Sequence, residues 1–183
     1  MELFTGRPAD CAGRLAREMR VYDYLDRLGI EYWRTDHFDM PAMTMADCER
    51  IDGVLGVLIC KNLFLCNRQR TAHYLLLMPG DKPFRTKELS KLLGVSRLSF
   101  APEEDMLELL DIQPGAVSVM GLMNDRERRV RLVVDSDVLR QEYFGCHPCV
   151  NTSSMKLRTE DVTGKYIPAT GHEMTVVELT GQD

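Results

Sequence analysis

Two apolar runs constrain this chain more than any other feature. Val54 to Cys60 and Leu63 to Leu65 form an almost continuous apolar stretch broken by Lys61-Asn62, and Tyr74 to Met78 forms a second that stops at Pro79-Gly80. Side chains alternate faces along a strand, so a run that is apolar at every position is buried on both sides. With the polar segment Asn67 to Arg70 as a hairpin turn, the runs predict two adjacent antiparallel strands at the centre of a sheet. Such strands need cover on both faces, and helical patterns elsewhere supply it.

Leu15 to Leu28 carries apolar or aromatic residues at Leu15, Met19, Tyr22, Leu25 and Leu28, a helical spacing closed by Gly29. Ile30 to Thr35 reads as a short strand. Thr44 followed by Asp47 resembles a capping box and predicts a short helix ending before Gly53. Thr86 to Leu93 reads as a helix stopped by Gly94, and Pro102 to Leu110 as another, with Glu103, Glu104 and Asp105 near its positive end. Strands are expected at Ala116 to Met120, Arg129 to Val134, around Tyr143 and at Met174 to Leu179. Helices are expected near Asp135 to Gln141 and Thr159 to Tyr166. Interleaved helices and hairpin-linked strands give an α+β fold with a mixed, mainly antiparallel central sheet and flanking helices. No repeat or linker divides the chain, so its 183 residues are read as one domain, 1–183, with 1–20 a loosely attached N-terminal segment.

The net charge of −5 argues against a protein that coats long stretches of nucleic acid, though not against one that grips the tip of an RNA. The basic clusters at Arg68 and Arg70, at Lys82, Arg85 and Lys87, and from Arg126 to Arg131 read first as solvated surface. No apolar run approaches the ~18 residues of a membrane span. The first twenty residues lack the apolar core of a signal peptide, so a cytoplasmic location with reduced cysteines is expected.

Several residues could carry chemistry. Lys61, inside an apolar run, either reaches a solvated face or meets an anion, because an unpaired buried charge is costly. Asn62 beside it points to the opposite face of a regular strand. Gly121, within a strand pattern, marks either a bulge or a close backbone approach by a ligand. His147 and His172 are each either structural or functional. Two chemistries coincide in Cys146-His147-Pro148-Cys149-Val150-Asn151-Thr152: a C-x-x-C thiol pair, or a histidine and an amide arranged about a proline turn. Zinc would want a second short-spaced ligand pair, which the chain lacks, and a redox C-x-x-C would be expected to open a helix after an early strand.

Taken in order, Lys61-Asn62-Leu63-Phe64-Leu65, Pro114-Gly115-x-Val117-Ser118 through Gly121-Leu122-x-Asn124-Asp125, His147-Pro148-x-x-Asn151-Thr152 and Gly171-His172 resemble the free-standing prolyl-tRNA editing proteins. That family is similar to the editing insertion of bacterial prolyl-tRNA synthetases and belongs to the YbaK-like deacylases. The resemblance runs from about Val21 to Leu179. It implies a YbaK-like fold and a hydrolase acting in trans on the ester of mischarged tRNA for proline, with alanyl-tRNA the expected substrate. It also implies reliance on the substrate's own 2′-hydroxyl, with no metal and no cofactor. Lys61, Gly121 and His147 are then the expected catalytic residues: Lys61 at the phosphate or ribose of the terminal adenosine, backbone amides around Gly121 on the carbonyl or attacking water, and His147 on the aminoacyl group. Met45, Asn62, Ser118 and Asn151 are the expected substrate-binding positions, Met45 lying with Met43 and Thr44 just ahead of the lysine strand. The expected partner is the tRNA acceptor end, presented by a prolyl-tRNA synthetase, with the protein itself a monomer. Cys146 and Cys149 fall outside the family's motif. Two rivals stay open, a non-catalytic tRNA-binding module and a thiol redox protein using Cys146 and Cys149.

Overall fold

The computed structural model describes residues 1–40 and 45–182, with the side chain of Met45 outside the described set. The elements in chain order are β1 (Phe4–Thr5), α1 (Ala16–Arg27), β2 (Tyr32–Asp36), α2 (Met45–Leu55), β3 (Lys61–Cys66), β4 (His73–Met78), α3 (Thr86–Leu93), β5 (Ser99–Phe100) and α4 (Glu103–Leu110). A 3-10 turn (Val119–Asn124) precedes β6 (Val130–Asp135), α5 (Ser136–Leu139), β7 (Tyr143–Cys146) and β8 (Ser153–Arg158). Then α6 (Thr159–Asp161) runs through a π-turn (Val162–Tyr166) into α7 (Ile167–Thr170), and β9 (Met174–Val177) follows.

The expected hairpin is present: β3 and β4 pair antiparallel from Lys61 opposite Met78 to Cys66 opposite His73. Its turn is held by Asn67, whose side-chain oxygen accepts from the amides of Thr71 and Ala72 at 2.9 and 3.1 Å. Alternation then divides the hairpin between two cores. Phe64, Cys66, Leu75 and Leu77 enter the larger one, with Val21, Tyr22 and Leu25 of α1 and Phe144, Met155 and Leu157 of β7 and β8. Leu65, Tyr74, Leu76 and Met78 enter a smaller one under α3, with Leu89 and Val133. Each such side chain contributes about 1.5–3 kcal/mol by leaving water, which is why no position in these strands is left polar without cause.

The fold class is as expected, α+β with mixed pairing, but the strands form two sheets. One has the order β1-β2-β8-β7 and is antiparallel throughout. The other has the order β5-β3-β4-β6-β9, antiparallel at β5-β3 and β3-β4 and parallel at β4-β6 and β6-β9. A single parallel bridge from Ile59 to Gly145 joins their ends. There the backbones are so close that a Cβ on Gly145 would lie 2.9 Å from the Leu58 carbonyl oxygen.

Several local expectations are corrected. Val54 to Cys60 is not a strand: α2 runs through Gly53 to Leu55, and residues 56–60 form a connector that touches β7 at one bridge. Ala116 to Met120 is not a strand either, because Ser118 caps a 3-10 turn by accepting from the Met120 amide. The serines after Thr152 begin β8 at Ser153, between β2 and β7. The proposed cap at Thr44 and the pocket residue Met43 lie outside the described residues.

Before α1 the chain is tied down at two places. Phe4–Thr5 pairs with Trp33 and Arg34 of β2. Arg14, only 6% exposed in its side chain, bridges Glu18 and Asp36 at 2.5 and 2.7 Å.

Candidate functional site

On the side of the larger core, three of the sequence segments are joined by hydrogen bonds. Asn62, at the start of β3, donates to the Cys60 carbonyl at 2.9 Å and accepts from the Val119 amide at 2.8 Å. Ser118, fully buried, donates to the His147 carbonyl at 2.6 Å and accepts from the Met120 amide at 3.1 Å. From behind, the Tyr166 hydroxyl lies 3.0 and 2.7 Å from the carbonyls of Val119 and Met120. The π-turn in the last helical stretch delivers that tyrosine. Asn62 and Ser118 thus position the backbone of the 3-10 turn and of the His147 segment. Asn151 borders the same region, its amide nitrogen 3.6 Å from where a Cβ on Gly115 would stand.

Gly121 sits in this turn, fully enclosed, and its amide is engaged with the Ser118 carbonyl at 3.0 Å. A Cβ there would come within 2.6 Å of the Ile112 side chain and 3.0 Å of Leu110. The glycine therefore serves close packing of the turn against α4 and the segment after it. This corrects the reading of a strand glycine with an outward amide.

Lys61 lies on the opposite face from Asn62, as regular alternation requires. Its half-buried ammonium donates to the Lys82 carbonyl at 2.7 Å, committing one of its three N–H donors. Of the basic clusters, Arg70, Lys82 and Arg129 each meet a carboxylate.

His147 is half-buried and, among the described residues, its ring is hydrogen-bonded through Nδ1 alone, which lies 3.2 Å from the Ser153 carbonyl and 3.1 Å from the Ser154 hydroxyl. A carbonyl can only accept, so Nδ1 carries the hydrogen and Nε2 the lone pair. Desolvation pushes the His147 pKa down to about 4, outweighing the Ser153 carbonyl, so the ring is neutral near pH 7. Two residues the sequence reading leaves out enter here, Ser154 and His37. The only signal for them was polarity at positions a strand would bury.

His172 is placed differently. Its Nε2 is 2.8 Å from Asp125 Oδ2 and its Nδ1 is 2.9 Å from the Thr170 hydroxyl, all within the buried junction before β6. Burial raises the Asp125 pKa, but bonds from His172 and the amides of Val130 and Arg129 outweigh it and hold the carboxyl below its usual range.

The thiols of the C-x-x-C pair are unsuited to redox work. Both are buried, and desolvation raises the Cys149 pKa to about 12 and that of Cys146 well above its ordinary value. A reactive cysteine needs the opposite, a stabilised thiolate with access to solvent. Among the described residues no group of three or more His, Cys, Asp or Glu side chains is placed to share a metal ion. No helix among them is long and apolar enough to cross a membrane.

Comparison with known proteins gives a concordant picture. Residues 39–164 match the family model described as "Aminoacyl-tRNA editing domain". The chain is 33% identical over 155 residues to the prolyl-tRNA editing protein ProX of Acetoanaerobium sticklandii, covering 85% of this chain and 93% of that one. It is 30% identical over 162 residues to the prolyl-tRNA synthetase associated domain-containing protein 1 of Danio rerio, covering 86% and 84% of the two chains. A crystal structure described as a candidate trans-editing enzyme for prolyl-tRNA synthetase superposes with a TM-score of 0.66 at 17% identity, over 90% of this chain and 98% of that one. At that identity the match concerns the fold alone.

Proposed function

The chain belongs to the aminoacyl-tRNA editing domain family, and on that premise we propose that it hydrolyses the ester of alanine wrongly attached to tRNA for proline. The observation that carries this reading is the overlap of the family match with the hydrogen-bonded cluster: Asn62, Ser118, Gly121 and His147, with Asn151 at its border, all fall within residues 39–164.

The chemistry asks little of the protein. An aminoacyl ester is already activated, so holding it near water or its own ribose hydroxyl, with dipoles aimed at the developing charge, suffices without a nucleophilic side chain. In this reading His147 presents its neutral Nε2 to the aminoacyl group, where a lone pair can accept from the α-ammonium. Asn62 and Ser118 hold the backbone that carries it. Lys61 takes the phosphate or ribose of the terminal adenosine with the donors its bond to Lys82 leaves over. A pocket of this kind can refuse proline by bulk, whereas a synthetase that must refuse alanine has only about 1–3 kcal/mol to work with per missing methylene. The proposed partner is accordingly the tRNA acceptor end, delivered by a prolyl-tRNA synthetase to a monomeric editing protein.

The test uses the purified protein with alanyl-tRNA for proline and prolyl-tRNA for proline side by side. Loss of the alanyl ester with the prolyl ester intact is expected, and stability of alanyl, cysteinyl and seryl esters alike would overturn the reading. Replacing Lys61→Ala should lower the rate by about 10²-fold with no change in melting temperature, the usual consequence of removing one charge-stabilising donor.

A further inference from the structure

The His147 ring does not stand alone, and Ser154 and His37 lie behind it. His37, 4% exposed, leaves the end of β2 with its amide donating to the Thr152 carbonyl at 2.9 Å. Its Nδ1 faces the Met40 carbonyl at 3.1 Å, and its Nε2 faces the Ser154 hydroxyl at 3.0 Å. Ser154, fully buried on β8, is in turn 3.1 Å from His147 Nδ1.

Only one arrangement of protons satisfies all these contacts in neutral rings. The Met40 carbonyl can only accept, so His37 carries its hydrogen on Nδ1 and offers a lone pair at Nε2. The Ser153 carbonyl can likewise only accept, so His147 carries its hydrogen on Nδ1. The Ser154 hydroxyl then accepts from His147 Nδ1–H and donates its single proton to His37 Nε2. Both ends of the chain are anchored on main-chain carbonyls, which cannot change role.

We propose that His37 and Ser154 are positioning residues that lock His147 in the Nδ1–H tautomer, so that its Nε2 faces the aminoacyl ester as a fixed hydrogen-bond acceptor. This rests on the deacylase reading for its consequence but not for its geometry. Without the relay His147 Nδ1 would keep only the Ser153 carbonyl at 3.2 Å, the long end of the hydrogen-bond range, so the ring could turn off that acceptor and, once off it, exchange tautomers, placing an N–H where the substrate ammonium needs a lone pair. The positive end of an ammonium is repelled by an N–H, so the wrong tautomer is inactive rather than merely weak. His37 lies two residues ahead of the matched region, which begins at residue 39, so the inference comes from the fold.

The charged groups around the relay are consistent with neutral rings. Asp36 is adjacent to His37, yet it is occupied by Arg14, by Arg34 and by the Ser153 hydroxyl at 2.9 Å. Asp47 and Asp36 both favour a charged His37, but desolvation outweighs them and the His37 pKa lies below its ordinary value. A charge on His37 would in turn disfavour one on His147.

The experiment reads nitrogen-15 shifts of the histidine rings at pH 7, alongside single-turnover deacylation of alanyl-tRNA for proline. In the wild-type protein, His147 should show a protonated Nδ1 and an unprotonated Nε2. Ser154→Ala and His37→Phe should each convert that signature to mixed tautomers and slow the reaction about 10-fold or more, within the range a positioned proton partner provides. His37→Gln, whose amide oxygen can still accept from Ser154, should restore most of the signature and the rate. A wild-type His147 protonated at Nε2 would overturn the proposal without any variant, and so would an unchanged signature in Ser154→Ala. A wild-type protein that shows the expected tautomer but hydrolyses no ester would instead refute the deacylase reading and leave the relay standing.

Discussion

His147 and His172 are the histidines of the two motifs His147-Pro148-x-x-Asn151-Thr152 and Gly171-His172, and the fold puts them to opposite uses. His172 spends Nε2 on Asp125 at 2.8 Å and Nδ1 on Thr170, inside a junction that fixes the start of β6. His147 spends Nδ1 on neutral acceptors and keeps the lone pair on Nε2. One ring braces a carboxylate that also holds two main-chain amides; the other is held so that one nitrogen stays basic. A histidine in a motif therefore says little until its partners are known, and these range from Thr170, two residues from His172, to Asp125, 47 residues away.

The comparison is broken most severely at Asp125. Asp125→Ala removes the acceptor of His172 and of the Arg129 and Val130 amides at once, and should cost about 3–5 kcal/mol in chemical denaturation. The rate per folded molecule should hold. His147→Ala should do the reverse, lowering single-turnover deacylation about 10²-fold while shifting stability far less.

These contrasts also mark what was legible in the sequence. The β3–β4 hairpin was, because burial on both faces leaves the apolar runs Leu63 to Leu65 and Tyr74 to Met78 and Asn67 starts the turn between them. The site was legible only in its residues, not in its geometry. Ala116 to Met120 reads as a strand, whereas Ser118 caps a 3-10 turn that begins at Val119. Gly121 read as either a strand bulge or a ligand approach, and the structure sets it in a 3-10 turn packed against Ile112 and Leu110. His37 and Ser154 were invisible because the relay depends on register between β2 and β8, where Thr35 faces Ser154, and no local pattern encodes that pairing.

Two smaller effects sharpen the comparison. Replacing Cys146 and Cys149 together by alanine should cost about 1–2 kcal/mol each through lost packing, yet leave deacylation within about twofold and insensitive to reductant, since burial raises both thiol pKa values, that of Cys149 to about 12, and such thiols supply no thiolate. The last is a pH contrast. The folded His147 binds its proton only near pH 4, below the ordinary value of 6.5, so the unfolded chain holds more protons between those values. Stability from this site should thus fall as pH drops from about 6.5 to about 4, whereas the lowered pKa of Asp125 keeps its contribution until pH falls below the ordinary carboxylate range. Melting temperature against pH for wild type and His147→Asn checks this: the variant should lose the upper part of the slope and keep the lower.

The most direct test of the central claim is the ratio of single-turnover hydrolysis rates for alanyl and prolyl esters carried on one and the same tRNA for proline. A ratio far above one, collapsing in His147→Ala through loss of the alanyl rate, is the predicted result. Equal rates for the two esters, or an alanyl rate that His147→Ala leaves untouched, would contradict it.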